Sequence, residues 1–422
     1  MLVEHCIRRS SRASGFFCYQ STGEARAIVT THPSRRARSG FAAVALAMAV
    51  TSCERGSGES PTPWPYEGCY AATHHDVASA PFVRMTGATS DELRCPPALR
   101  GGSVNDTPAM GDVRGTDLGI FWEGAPGTLM VAFGDSYGGA TWQGPGPGTA
   151  RDAWRRNFLA TSVDRDPSDG VTLSAFVTEA GHAIEMVGET PGIDREESVI
   201  PTAGIRIGSR DYLHFMSVRR WRDHVTCPRW QWVTNYSFLA YSDDDGRHWT
   251  RSALRFDGSS RFAVAALAEV GENIYVLGTP AGRIGDIYLA RVARASLLDD
   301  AAYVFWSTTG WQAREEHADP FLKGPAGELS LLHHPGTGRW LLTYLSHDQN
   351  AIVMRSAAGV EGPWSEEVPV IDAGEKNPEH PRLYGGFMIP RFTDEASVYL
   401  AVSKIACYGV FTTRVEIPTA LR

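Results

Sequence analysis

The sequence lacks the motifs that announce a bound nucleotide or a metal centre. Among its 422 residues there is no phosphate-binding loop and no G-x-G-x-x-G between a strand and a helix, and the G-x-S-x-G match in FGDSYGG has no neighbouring His pattern that would make Ser136 a convincing nucleophile. No C-x-x-C pair and no Cys/His cluster has metal-ligand spacing, so neither a cofactor nor a structural metal is expected. Helical periodicity is scarce, with one short helical turn expected around Ala295 to Ala302. An excess of positive charge is missing too. Seven Arg against two Glu in residues 1–52 leave a net charge of −13 on the rest of a chain whose total is −8. So anionic a surface is a poor partner for nucleic acid or anionic lipid. A neutral glycan meets no such barrier.

What is present begins with an export signal. A basic stretch at 35–38 precedes an apolar run from Phe41 to Val50, too short to span a bilayer but suited to a signal-peptide core. The run ends in VTSC, which resembles a bacterial lipobox with Cys53 as the lipidated residue. An ordinary signal peptide cleaved nearby is the alternative. Residues 1–53 are thus read as leader and signal, 54–68 as a flexible tether, and 69–422 as one exported domain. The expected location is the cell surface or the medium, as a monomer touching membrane only through a lipid anchor. Cys69, Cys95, Cys227 and Cys407 remain in that domain, and outside the cytoplasm they can pair in three ways.

The domain is rich in turn formers and aromatics, with 43 Gly, 25 Pro and 12 Trp in the whole chain. Short strand-like runs recur: GTLMVAFGD, RDYLHFMSV, NYSFLAYS, ENIYVLGT, DIYLARV, RWLLTYL, AIVMRSA and SVYLAVS. Such spacing implies an all-β sandwich, barrel or propeller. SDDDGRHW at 242–249 favours the propeller, because it fits the S-x-D-x-G-x-x-W hairpin turn known as an Asp box. In that turn Asp244 accepts backbone N–H bonds, Gly246 takes positive φ and Trp249 packs beneath, so Asp244 reads as structural. A second Gly-Pro-Trp turn, in RSAAGVEGPWS, supports the same fold.

Candidate chemistry sits where strand and turn signals meet. Asp117 lies in GTDLGI and Asp135 ends the apolar run LMVAFGD; each is either a turn cap or a catalytic carboxylate. Glycoside hydrolysis needs two such groups, one acid and one base or nucleophile. Further polar candidates for holding a substrate are Arg156, Asn157, Thr202, His214, Asn235, Arg283, Glu328 and Tyr384. Glu328 reads equally as a third carboxylate or a paired structural one, and His214, between Leu and Phe, as a packed or substrate-touching residue. Trp142, Trp221 and Trp232 are candidates for stacking on sugar rings, though most tryptophans here should be packing.

Taken in order, GTDLGI, FGDS, WRRN, IPTAGI, TNYS with the Asp box, TPAGR, GELS, GPWS and LYGGF resemble a family of secreted bacterial proteins long catalogued as a domain of unknown function. Its characterised members are endo-D-arabinofuranases that cut the D-arabinan of arabinogalactan and lipoarabinomannan. The resemblance covers about residues 100–418 and implies a five-bladed β-propeller, a D-arabinan substrate, and Asp117 with Asp135 as the catalytic pair, with inversion expected. The chain departs from the pattern in FGDS, in the tail VSKIACYGVF and in the insertion WRDHVTCPRWQW. Other readings are a sialidase-like enzyme, for which Arg156, Arg283 and Arg355 would have to converge, or a glycan-binding lipoprotein without catalysis.

Overall fold

A computed structural model gives the fold, and it describes residues 5–7, 17–19, 75, 77, 81–89, 101–142, 144, 146–221, 232–373 and 383–422. The chain divides into two compact units, Met1–Thr62 and Pro63–Arg422. In the first, two three-residue strands, His5–Ile7 and Phe17–Tyr19, pair antiparallel. Cys53, the tether and Cys69, Cys95 and Cys227 lie outside the described residues. Cys407 is disulfide-bonded.

The second unit is built almost wholly of antiparallel strands. The strands follow one another as antiparallel meanders, of which the second carries a fifth short strand, Phe256–Asp257, and the third and fourth are joined into one eight-stranded sheet by pairing of Gly285–Ala293 with Leu322–His334. The first comprises Gly115–Glu123, Leu129–Tyr137, Phe158–Ser162 and Ala175–Phe176. The second comprises Ser198–Ile207, Arg210–Trp221, Trp232–Ser242 and Thr250–Arg251. The third runs through Val264–Val270, Asn273–Thr279, Gly285–Ala293 and Val304–Phe305. The fourth runs through Leu322–His334, Arg339–Ser346, Ala351–Ala357 and Val368–Asp372. The fifth takes Leu383–Thr393, Ser397–Lys404 and Gly409–Glu416, and its outer strand, Val83–Arg84, comes from ahead of the first meander. The last sheet is therefore closed by the start of the domain.

The first strand of each meander touches the first strand of the next, and that of the fifth touches that of the first. Apolar clusters fill the gaps between neighbouring sheets. Phe133 and Phe158 of the first meander stack at 4.6 Å and pack with Ile389, Ala401 and Val410 of the fifth. Leu277 and Leu289 of the third pack with Leu342 and Tyr344 of the fourth. Each sheet is thus covered on both faces, which explains why Leu129–Tyr137 and Ala351–Ala357 are buried at every position instead of alternating. The expected helical turn near Ala295 is present as two short 3₁₀ turns, Arg294–Ser296 and Asp300–Ala302.

The Asp-box turn has the local geometry its sequence implies. Asp244 accepts from the His248 N–H at 2.9 Å and from the Ser242 hydroxyl at 2.9 Å. Trp249 donates its indole N–H to the Gly246 carbonyl at 3.0 Å and meets Trp122 edge-on. Gly246 sits at φ +84°, and a Cβ there would lie 2.3 Å from Cδ2 of Leu159. Only glycine satisfies both constraints. Gly246→Ala is expected to lower the unfolding free energy by about 2 kcal/mol, read by urea denaturation. An unchanged midpoint would remove this turn from the account of stability.

Candidate active site

Asp117 and Asp135 are brought together by a β-bulge. The first two strands of the first meander pair Thr116 with Ser136 and Leu118 with Phe133, leaving Asp117 opposite both Gly134 and Asp135. The backbone makes a left-handed excursion just after Asp117, with Leu118 at φ 71° and Gly119 at φ 81°. A leucine in that region costs about 1 kcal/mol. It is held there by its own N–H, which donates to Ser403 Oγ at 2.7 Å. Gly134 is required by close approach, because a Cβ there would lie 2.4 Å from Asp117 Oδ1.

Both carboxyls line a cavity of about 360 Å³. Its other walls include Glu328, Arg283, Tyr384, Tyr408, Tyr137, His347 and Asn350. Asp117 Oδ2 accepts from the Tyr384 hydroxyl at 2.8 Å and, more weakly, from Tyr408 at 3.4 Å. Its Oδ1 is buried with no hydrogen-bond partner among the described residues. Burial, then the neighbouring Asp135 charge, pushes the Asp117 pKa up to about 8, against the opposing bond from Tyr384. Asp135 Oδ1 accepts from Ser198 Oγ at 2.6 Å and Trp154 Nε1 at 3.0 Å. Burial raises its pKa to about 7, with those two bonds and the Arg156 charge pulling it down. Both carboxyls are thus held well above the ordinary carboxylate range, and their partners are unequal: Asp135 has two short donors and the Arg156 charge, whereas Asp117 has one short donor.

Arg283 and Glu328 form an ion pair on the cavity wall. Arg283, itself at φ 57°, also lies over the rings of Trp232 and Tyr384, at 5.3 and 5.0 Å. Glu328 falls at a register shift in its strand, as Tyr384 falls beside one at Gly385. Bulges on the innermost strands thus aim three of the site's residues. Of the tryptophans, Trp221 and Trp232 line the cavity, whereas Trp142 is buried against Tyr137 and Tyr408.

The structure does not bring the remaining predicted residues to the cavity wall. Asn157 is fully buried, and its amide spans Met186, Val187 and Val199 through four backbone bonds. Thr202 and His214 bond one another at 2.5 Å inside the second meander. Burial depresses the His214 pKa to about 3, so it stays neutral and is unsuited to giving a proton near pH 7. Asn235 bonds the Arg195 carbonyl and Ser217. Arg156 pairs with Glu185 and Glu189 and influences Asp135 only through its charge. Arg355 is tied to Tyr344, Ser365 and Glu367. The three arginines a sialidase would need do not meet in the cavity. Ser198 and Tyr408 are the residues that motif reading missed. Neither stands in a pattern that marks it, and each reaches its aspartate from a neighbouring meander far along the chain. Among the described residues, no group of three His, Cys, Asp or Glu side chains is placed to hold a metal ion.

A family model described as a domain of unknown function, DUF4185, matches residues 102–414. Two fungal proteins are similar in sequence. Notoamide biosynthesis cluster protein J' of Aspergillus versicolor is 29% identical over 311 residues, covering 69% of this chain and 81% of that protein. Notoamide biosynthesis cluster protein J of Aspergillus sp. is 29% identical over 321 residues, covering 69% and 80%. Among solved structures, a Bacteroides ovatus protein provisionally described as a hydrolase superposes with a TM-score of 0.52 at 12% identity, over 73% of this chain and 87% of that one. That likeness is one of fold.

The raised carboxyl pKa values carry a stability consequence. The folded protein binds protons at Asp117 and Asp135 that the unfolded chain, with an ordinary value of 3.8, has already lost. The contribution is therefore full below about pH 4 and is lost as pH rises through about 7 to 8. Asp117→Asn is expected to raise the unfolding midpoint above wild type at pH 8, with the gain vanishing toward pH 4. A gain independent of pH would show that the carboxyl titrates normally.

Proposed function

The chain belongs to the DUF4185 family, and from its site we propose that it is a glycoside hydrolase with Asp117 as general acid and Asp135 as general base. The observation that carries this is a pair of carboxyls lining one cavity, both raised well above the ordinary range and unequally hydrogen-bonded. Such a pair can hold a proton on Asp117 for the leaving oxygen while Asp135 activates water. Tyr384 and Tyr408 orient the acid, and Ser198 and Trp154 orient the base.

The finer reading follows the family resemblance. The substrate is D-arabinan cut internally, with inversion of the anomeric centre, and the five meanders are the blades of a five-bladed β-propeller. The cyclic contact of the five first strands supports the blade count. In this reading the site residues that touch the glycan are Arg283, Glu328 and Tyr384, which line the cavity. The protein is exported and tethered through Cys53, acts as a monomer, and needs no cofactor. A non-catalytic glycan-binding role is disfavoured by the open cavity beside both aspartates, since that role calls for carboxyls closed in turn networks.

Wild type is expected to release arabino-oligosaccharides from arabinogalactan, read by chromatography of the products. Asp117→Asn and Asp135→Asn should each lower kcat/KM by about 10³ or more without unfolding the protein. Equal release by the variants would overturn the assignment of the pair; no release by wild type from any furanoside would overturn the activity.

The pH profile of kcat/KM should be a narrow bell, rising near pH 7 as Asp135 ionises and falling near pH 8 as Asp117 does. Tyr384→Phe removes a bond that holds the Asp117 pKa down. It should move the alkaline limb upward and lower kcat. A profile unmoved by this change would separate Tyr384 from the acid.

A further inference from the structure

The polar residues of the cavity are not spread evenly around it. The first meander supplies Asp117, Asp135 and Tyr137, the third Arg283, the fourth Glu328, His347 and Asn350, and the fifth Tyr384 and Tyr408. Among the described residues, the second supplies no charged or hydroxyl-bearing group to the lining. Its contribution is Ile200, Met216, Trp221 and Trp232. Ile200 and Met216 are direct cross-strand partners, as are Trp221 and Trp232, whose rings meet edge-on at 5.8 Å. Leu345 and Leu383 extend apolar surface from the fourth and fifth meanders. The indole N–H of Trp232 is buried and has no hydrogen-bond partner among the described residues.

A sugar ring is bounded by hydroxyls around its edge, and only its C–H faces tolerate an apolar wall. Tryptophan faces can take such a ring. The Ile200–Met216 pair offers no stacking plane and no donor or acceptor, so a hydroxyl pressed against it loses water with nothing in exchange. An aryl or alkyl group gains there by simple burial.

We infer that the site takes a glycoside carrying an apolar group, aryl or alkyl, seated against Ile200, Met216, Trp221 and Trp232 while the carboxyl pair acts on the sugar. This rests on the glycoside hydrolase reading and names its substrate class more closely. The apolar group is an acyl substituent of a sugar, as internal cleavage of arabinan allows, or else the leaving group, which would replace the arabinan reading while keeping the hydrolase; the same wall serves both.

The test uses the full chain with Asp135→Asn, so that nothing turns over, and measures binding by titration calorimetry. The probes are methyl α-D-arabinofuranoside, its 2-naphthyl counterpart, and the methyl glycoside bearing a benzoyl ester. One of the two apolar probes is expected to bind at least tenfold more tightly than the unadorned methyl glycoside, and which one does so distinguishes leaving group from substituent. Adding Met216→Gln should reduce that preference at least fivefold without changing the affinity for the methyl glycoside. Met216→Leu, which keeps the wall apolar, should retain it and so controls for folding. Affinities within threefold of one another, no detectable binding, or a preference that survives Met216→Gln would each overturn the inference. Release of arabino-oligosaccharides by wild type is read separately, so the hydrolase reading can stand while this one falls.

Discussion

Two carboxyl groups held out of water within one pair of strands set the terms for the whole site. Asp117 and Asp135 face the same cavity without a bonded cation on either, and each is supported by neutral donors instead. A charged pair in that setting repels and lacks solvent, so the proton is retained to unusually high pH. The cost is borne by the surrounding sheets. Strand closure by Val83–Arg84, the apolar layers between meanders and the left-handed turn at Leu118 all serve to keep the pair in place. Burial that makes the pair unfavourable for folding is the same burial that keeps a proton available for chemistry.

Inequality between the two groups comes from small differences in their partners. Asp135 receives two good donors on one oxygen, whereas Asp117 receives one strong and one long bond on Oδ2 and none on Oδ1. The nearest ion pair, Arg283 with Glu328, contributes opposing charges at the same wall and so perturbs Asp117 in both directions. Arg283 is then free of neither Glu328 nor the rings of Trp232 and Tyr384, and its guanidinium is a fixed part of the wall.

Much of this was legible from the sequence where glycine precedes an acid. Gly134 before Asp135 marks a place where the chain packs too closely for a side chain, Gly327 before Glu328 a tight one, and those acids line the cavity. The all-β class followed from short apolar runs between turns, and the Asp box from its own spacing. What motif reading could not supply was the direction of a side chain. A bulge shifts register by one residue, and a one-residue shift sends a side chain to the other face. Thr202 sits at such a shift and pairs with His214, and Asn157 ties loop to strand instead of facing the cavity. Ser198 and Tyr408 were invisible for a different reason. Ser198 joins Asp135 across 63 positions, and Tyr408 joins Asp117 across 291, distances at which one sequence carries no signal.

The central claim is that two carboxyl groups in this fold titrate near neutrality and differ from one another. Carbon-13 NMR of protein labelled at the aspartate carboxyls reads this directly as a function of pH. The account predicts two resonances titrating near pH 7 and pH 8, one lost in each of Asp135→Asn and Asp117→Asn, with the Asp117 resonance moving to lower pH in Asp135→Asn because the neighbouring charge is gone. Every aspartate resonance titrating below pH 5 would contradict it.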